Sequence, residues 1–321
     1  MPLLPSPPYR PAFPFRSGHL QTVYAARLRR AEGPAYRRER IDTPDGDFLD
    51  LDWTTVGASR VAVVSHGLEG NSGRTYVRGM ARALNLAGWD VLAWNYRGCS
   101  GTPNRTLRLY HSGATDDLDT VLRHALSAGR YATAALVGFS LGGNLTLKYL
   151  GERGTGLDPR LRRAVAFSTP CDLAAASAEI SKPHNWIYTR YFLTSLRDKV
   201  RQKAVQFPDH IDLTRLKHIR TLFDFDDAFT APIHGFDGAA DYYRRCSSKA
   251  FLDGIHIPTL LVNAADDSFL PAACYPVEEA RNHAYLHLEI PDFGGHVGFV
   301  GRNGKETYWS EVRAAAFLGT V

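Results

Sequence analysis

The stretch Ala134–Asn144, reading Ala-Ala-Leu-Val-Gly-Phe-Ser-Leu-Gly-Gly-Asn, constrains this chain more than any other. It passes from a short apolar run through Gly138-Phe139-Ser140-Leu141-Gly142 into a segment whose Leu145, Leu147 and Leu150 predict a helix beginning near Gly143. A G-x-S-x-G pattern between a strand and a helix describes a sharp turn that holds its serine in a strained backbone conformation, and a side chain at either flanking glycine would strike neighbouring backbone. The serine oxygen then projects over the edge of the sheet. The pattern by itself is weak, since short motifs recur by chance. An apolar β-rich run before it and an apolar-periodic segment after it make it a nucleophile elbow rather than an ordinary glycine turn.

The surrounding chain fits that setting. Leu49, Leu51 and Trp53 alternate with Asp50 and Asp52, which predicts a half-buried strand in an antiparallel entry hairpin. Val61–Val64 is a continuous apolar run, as expected of a strand covered on both faces. A helix is predicted from Tyr76 to Ala87 with Gly88 as its stop, then a strand over Val91–Tyr96, then a helix capped by Thr115 and ended by Gly129. After the elbow comes a strand over Arg163–Pro170. This βαβ alternation implies a mainly parallel sheet flanked by helices. It lapses over residues 171–250, an aromatic-rich stretch read as a helical cap insertion. It resumes with strands at Pro258–Asn263 and Leu286–Ile290 and closes with a helix from Glu306 to Leu318. The organisation expected is therefore an N-terminal arm (1–45) packed on the core, a first core part (46–170), the cap (171–250) and a second core part (251–321).

A serine hydroxyl is a poor nucleophile without a neighbouring base, and the base needs an orienting carboxylate. The strand at Leu260–Asn263 is followed by Asp266-Asp267, and the strand at Leu286–Ile290 by Gly294-Gly295-His296. Both groups fall just beyond the carboxyl ends of strands, where open α/β sheets place their sites. Ser140, Asp267 and His296 are then nucleophile, acid and base in chain order. Asp267 is preferred to Asp266 for its Asp-x-x-x-Pro spacing to Pro271. An oxyanion would be held by the backbone N–H of Leu141, which follows the nucleophile, and by that of Leu68 in the His66-Gly67-Leu68 loop.

Several segments together resemble one family. They are His-Gly-Leu-Glu-Gly-Asn at 66–71, Asn-Tyr-Arg-Gly-Cys-Ser-Gly-x-Pro-Asn at 95–104, Gly-Phe-Ser-Leu-Gly-Gly-Asn at 138–144 and Phe-Asp-x-x-Phe-Thr-Ala-Pro-x-His-Gly-Phe at 225–236. In this order they are similar to the YheT-like family of α/β-hydrolases, and the likeness runs from Gly18-His19-Leu20-Gln21-Thr22 to the C-terminal Gly-Gly-His. The resemblance implies the α/β-hydrolase fold, carboxylic-ester hydrolysis and a charge relay on Ser140, Asp267 and His296.

Composition removes other classes. A hydrophobic content of 44% and a charged content of 22% describe a soluble globular chain. The net charge of +5 comes from basic clusters interspersed with acids and lacking interleaved aromatics, so no nucleic-acid partner is expected. Cys99, Cys171, Cys246 and Cys274 stand far apart, which fits a reducing compartment and no zinc site. No leader-like or membrane-spanning run is present, so the chain reads as cytoplasmic with at most peripheral membrane contact. The expected enzyme is a serine carboxylesterase acting without metal or cofactor on a small-molecule or lipid ester. Its rivals are a lipase or acyltransferase at a membrane surface, and a catalytically idle binding module. The His111-x-x-x-x-Asp116 spacing, linked to acyl transfer elsewhere, reads here as a loop leading into the Thr115 cap.

Overall fold

The computed structural model describes residues 9–29, 33–301 and 307–319. Among them eight strands form one sheet: β1 (Arg37–Asp42), β2 (Phe48–Thr54), β3 (Arg60–Ser65), β4 (Asp90–Asn95), β5 (Thr133–Phe139), β6 (Leu161–Phe167), β7 (Thr259–Val262) and β8 (Leu286–Glu289). Their spatial order is β1-β2-β4-β3-β5-β6-β7-β8. β2 runs antiparallel to both β1 and β4, and every other pairing is parallel. Val64 in β3 lies opposite Ala93 of β4 on one side and Val137 of β5 on the other.

The continuous apolar strands follow from burial of both sheet faces. Val61, Val63, Leu92, Leu136 and Ala134 point into one core, and Ala62, Val64, Val91, Ala93 and Val137 into a second core on the opposite face. Helix α1 (Gly18–Val23), in the arm, continues as a wider turn through Leu28. α2 (Thr75–Leu86) puts Val77, Met80, Ala81 and Leu84 on the second core, while α3 (Thr115–Ser127) and α4 (Leu141–Arg153) supply Leu118, Val121, Leu122 and Leu145, Leu147, Leu150 to the first. Between β6 and β7 the chain is helical: α5 (Leu173–Ile180), α6 (Trp186–Gln206), α7 (Leu222–Phe225), α8 (Ala231–Ile233) and α9 (Ala239–Cys246), joined by 3-10 and wider turns. This segment has its own apolar cluster, centred on Leu193, Leu196, Val200 and Phe225, which includes Phe269 and Leu270 from the loop after β7. α10 (Val277–Arg281) precedes β8, and α11 (Trp309–Gly319) returns to pack on α2.

Several local expectations are corrected. β2 is buried along its whole length, so Asp50 and Asp52 do not face water. Each is paired with an arginine of β1, Asp50 with Arg40 at 2.7 Å and Asp52 with Arg38 at 2.8 Å, and this pairing makes their burial tolerable. Thr115 does not cap α3. Ala114 occupies that position, and the Thr115 hydroxyl, already inside the helix, donates to Glu152 at 2.7 Å. α4 begins at Leu141 rather than near Gly143, because the turn is completed by Ser140 alone. The last helix begins at Trp309, and Glu306 lies outside the described residues, as do Pro5, Pro7 and Pro8 of the arm.

Candidate active site

β5 ends at Phe139 and α4 starts at Leu141, so one residue makes the turn. Ser140 takes φ +53 and ψ −119, a region that costs a non-glycine residue about 1–3 kcal/mol and persists only where its surroundings enforce it. Enforcement is visible: the Ser140 N–H donates to the Phe167 carbonyl at 2.8 Å, and its own carbonyl accepts from Gly143 and Asn144 at 2.8 and 3.0 Å. A Cβ on Gly142 would lie 2.5 Å from the Ser65 carbonyl oxygen, and one on Gly138 would overlap the Gly142 carbonyl. Both glycines are therefore required by space.

The loops after β7 and β8 meet the elbow. His296 Nε2 lies 2.9 Å from Ser140 Oγ, and His296 Nδ1 lies 2.9 and 3.1 Å from the two carboxylate oxygens of Asp267. A carboxylate only accepts, so the proton sits on Nδ1 and the Nε2 lone pair faces the serine hydroxyl. The Asp267 side chain is fully buried and also accepts the Phe269 N–H at 3.0 Å, while the imidazole is 10% exposed. Phe269 stacks on that imidazole with ring centres 4.2 Å apart.

Asp266 faces elsewhere. Its Oδ1 accepts the Gly295 N–H at 2.8 Å, and burial, reinforced by the neighbouring Asp267 charge, pushes its pKa up. It anchors the histidine loop rather than orienting the ring. Two more anchors were not singled out from sequence. Thr22 of α1 accepts the His296 N–H at 2.8 Å and donates to the Gly18 carbonyl, and Ser168 accepts the Val297 N–H at 2.9 Å. Thr22 lies within the 18–22 segment that carried part of the resemblance, but nothing local to that segment shows that it reaches His296.

The two expected oxyanion donors also come to the site. Leu68 and Leu141 line one cavity with Ser140, and among the described residues their N–H groups have no protein acceptor. The neighbouring donors are engaged: Gly67 to the Tyr76 hydroxyl at 2.9 Å and Glu69 to the Tyr110 hydroxyl at 3.0 Å. Below the loop, His66 is fully buried, its Nδ1 2.8 Å from the Gly67 carbonyl and its Nε2 accepting the Tyr96 N–H at 3.3 Å. Only the neutral Nδ1–H tautomer satisfies both contacts, and burial pushes the pKa down to about 3. Above the loop, Glu69 is tied to α6 by Lys199 at 2.7 Å and by the Ser195 hydroxyl.

Two cavities meet at Ser140 and His296. One runs beneath α5 and α6 and is walled by Leu173, Ile180, Leu196 and Phe225. The other opens between the arm and α6, past Val23, Ala26, Ile187 and Tyr191. His111 and Asp116 do not meet: His111 packs against His234 in the wall of the first cavity, with ring centres 4.5 Å apart, and Asp116 pairs with Arg108 at 2.6 Å. Among the described residues no group of three or more His, Cys, Asp or Glu could hold a metal ion, and no helix is long and apolar enough to cross a membrane.

A mainly parallel sheet with a serine elbow after β5, and with acid and histidine loops after β7 and β8, defines an α/β-hydrolase. The chain belongs to that family: the pattern described as the alpha/beta hydrolase fold matches residues 63–301. It is 38% identical to the candidate esterase YheT of Escherichia coli over 89% of this chain and 85% of that protein. It is also 32% identical to the phospholipase ABHD3 of Bos taurus over 83% of this chain, spanning 66% of that longer protein. The solved structure of the Pyrococcus furiosus esterase Pf2001 shares the fold with a TM-score of 0.59 at 15% identity, covering 88% of this chain and 89% of that one.

Proposed function

We propose that the chain hydrolyses carboxylic esters through an acyl-enzyme on Ser140. The carrying observation is the unbroken hydrogen-bonded chain from Ser140 Oγ through His296 to the buried Asp267, beside the Leu68 and Leu141 N–H groups, which have no protein acceptor among the described residues. In this reading His296 Nε2 takes the serine proton as Oγ attacks the ester carbonyl, and Asp267 keeps the imidazole in the Nδ1–H tautomer and stabilises the imidazolium that forms. The Leu68 and Leu141 N–H groups hold the developing oxyanion. His296 then returns the proton to the leaving alcohol, and water releases the acid by the same route. The residues suffice for this without a metal or cofactor. The names of the relatives, an esterase and a phospholipase, agree with small-molecule or lipid esters as substrates.

The segment 171–250 serves as a cap on a core made of 46–170 and 251–321, while the described part of the arm 1–45 adds β1 to the core sheet and packs α1 beside the site, and the cap roofs the apolar cavity that would receive the acyl chain. A second reading, a lipase working at a lipid surface, is favoured by Val23 and Ile187, which line the other opening and are themselves 41% and 59% exposed.

Hydrolysis of p-nitrophenyl esters from acetyl to long acyl chains tests both. Ser140→Ala should lower kcat on the order of 10⁶-fold. The esterase reading expects an optimum at short or medium chains, and the lipase reading expects one at long chains. Retention of comparable turnover by Ser140→Ala would refute the nucleophile in either case.

A further inference from the structure

The two cavities that meet at Ser140 differ in charge. In the apolar one the charged side chains already have partners: Lys199 is bound to Glu69 at 2.7 Å, and Asp226 accepts from the Tyr243 and Thr230 hydroxyls, each at 2.6 Å. The cavity between arm and α6 has no Asp or Glu in its described lining, but it has two arginines, Arg27 from the arm and Arg74 from the turn before α2. Neither has a carboxylate within 4.0 Å among the described residues.

Both guanidinium groups are held by one side chain. Arg74 Nη2 donates to the Tyr191 hydroxyl at 2.8 Å and to the Glu69 carbonyl at 2.7 Å, while the Arg27 guanidinium stands over the Tyr191 ring, 5.0 Å from its centre. The Nε and Nη1 donors of Arg74 find no acceptor among the described residues. Two positioned cations with spare donors, in a cavity that contains the nucleophile, are unlike the solvated pairs found elsewhere on this surface. Arg105 with Asp42 and Arg201 with Asp198 are examples of such pairs.

Resting on the ester-hydrolase reading, we propose that this second cavity takes the alcohol half of the substrate and that the alcohol bears a phosphate group read by Arg27 and Arg74. The largely apolar cavity, whose charged side chains already have partners, suits the acyl chain. Two guanidinium groups approaching from different elements match the several oxygens and near −2 charge of a phosphomonoester better than a single carboxylate. His296 lines both cavities and so faces the ester oxygen that leaves toward the second. The overall step is hydrolysis: the acyl–oxygen bond breaks, water supplies hydroxyl to the acid and a proton to the phosphorylated alcohol. A lipid headgroup and a soluble phosphorylated alcohol share this chemistry.

The test compares kcat/KM of the full chain for 1-butyryl-glycerol and 1-butyryl-glycerol 3-phosphate. The phosphorylated ester should be preferred by about 10- to 100-fold, the range of one or two charge-assisted hydrogen bonds. That ratio should fall towards 1 in Arg27→Gln and in Arg74→Gln, with Arg74→Lys retaining part of it. Arg27 is exposed and on the arm, so its variant reports on recognition even if Arg74→Gln disturbs the Glu69 turn. The same pair with oleoyl chains in phosphatidylcholine vesicles separates the sources: a preference kept there assigns a lipid headgroup, and one confined to the butyryl esters assigns a soluble substrate. A wild-type ratio at or below 1, or one that neither arginine variant changes, overturns the inference. Ser140-dependent cleavage of the neutral ester with no preference overturns it alone, whereas no Ser140-dependent cleavage of either ester defeats the hydrolase reading beneath it.

Discussion

At the scale of single residues, the adjacent carboxylates after β7 have separate surroundings. Asp267 meets the imidazole, and Asp266 holds the backbone of the loop that carries it. Asn at 266 would keep an oxygen for the Gly295 N–H and would remove a charge that burial disfavours. Asn at 267 would present an amide to Nδ1 and favour the wrong tautomer. Asp267→Asn should therefore lower kcat on the order of 10⁴-fold, and Asp266→Asn no more than about tenfold. Steady-state kinetics of the two variants checks this, and the reverse ranking would assign the acid to Asp266. The spacing to Pro271 pointed to Asp267 from sequence. The roles of Thr22 and Ser168 did not show there, because each acts across a long stretch of chain through a single hydroxyl.

At the scale of elements, the elbow was legible because backbone crowding dictates its glycines. The loop before it was only partly so. His-Gly-Leu marked a close backbone turn proposed to supply an oxyanion donor, but the neutral imidazole beneath it is defined by carbonyl and N–H partners that sequence does not name. Thr115 misled for a related reason: a threonine beside a helix start is a cap only if its backbone stays outside the helix, and here it lies one residue inside. The buried His66 carries a consequence for stability. Its ordinary pKa near 6.5 falls to about 3 in the fold, so on acidification the unfolded chain takes up the proton first. This contribution is complete above pH 6.5 and is lost progressively as pH falls towards 3. Urea midpoints at pH 7 and 4.5 should thus decline less in His66→Gln than in the parent, although the variant starts lower. An equal decline in both would contradict a neutral buried imidazole.

At the scale of the whole molecule, the parallel sheet was readable because strands buried on both faces lose their alternation and become continuous apolar runs. Val61–Val64 and Ala134–Val137 are such runs. The same rule failed at β2, where two ion pairs with β1 let aspartates lie buried in an alternating pattern. The helical character of the chain between β6 and β7 was visible in its composition. The division of space beneath it into two cavities was not, since that depends on how α6 leans across both the Gly67–Glu69 loop and the arm. All of these elements converge on one oxygen atom, and a fluorophosphonate probe followed by peptide mass mapping examines it most directly. The account predicts one phosphonyl group per chain, carried by Ser140, with esterase activity lost in proportion to labelling. A label on any other residue, or full activity in chains labelled at Ser140, would contradict it.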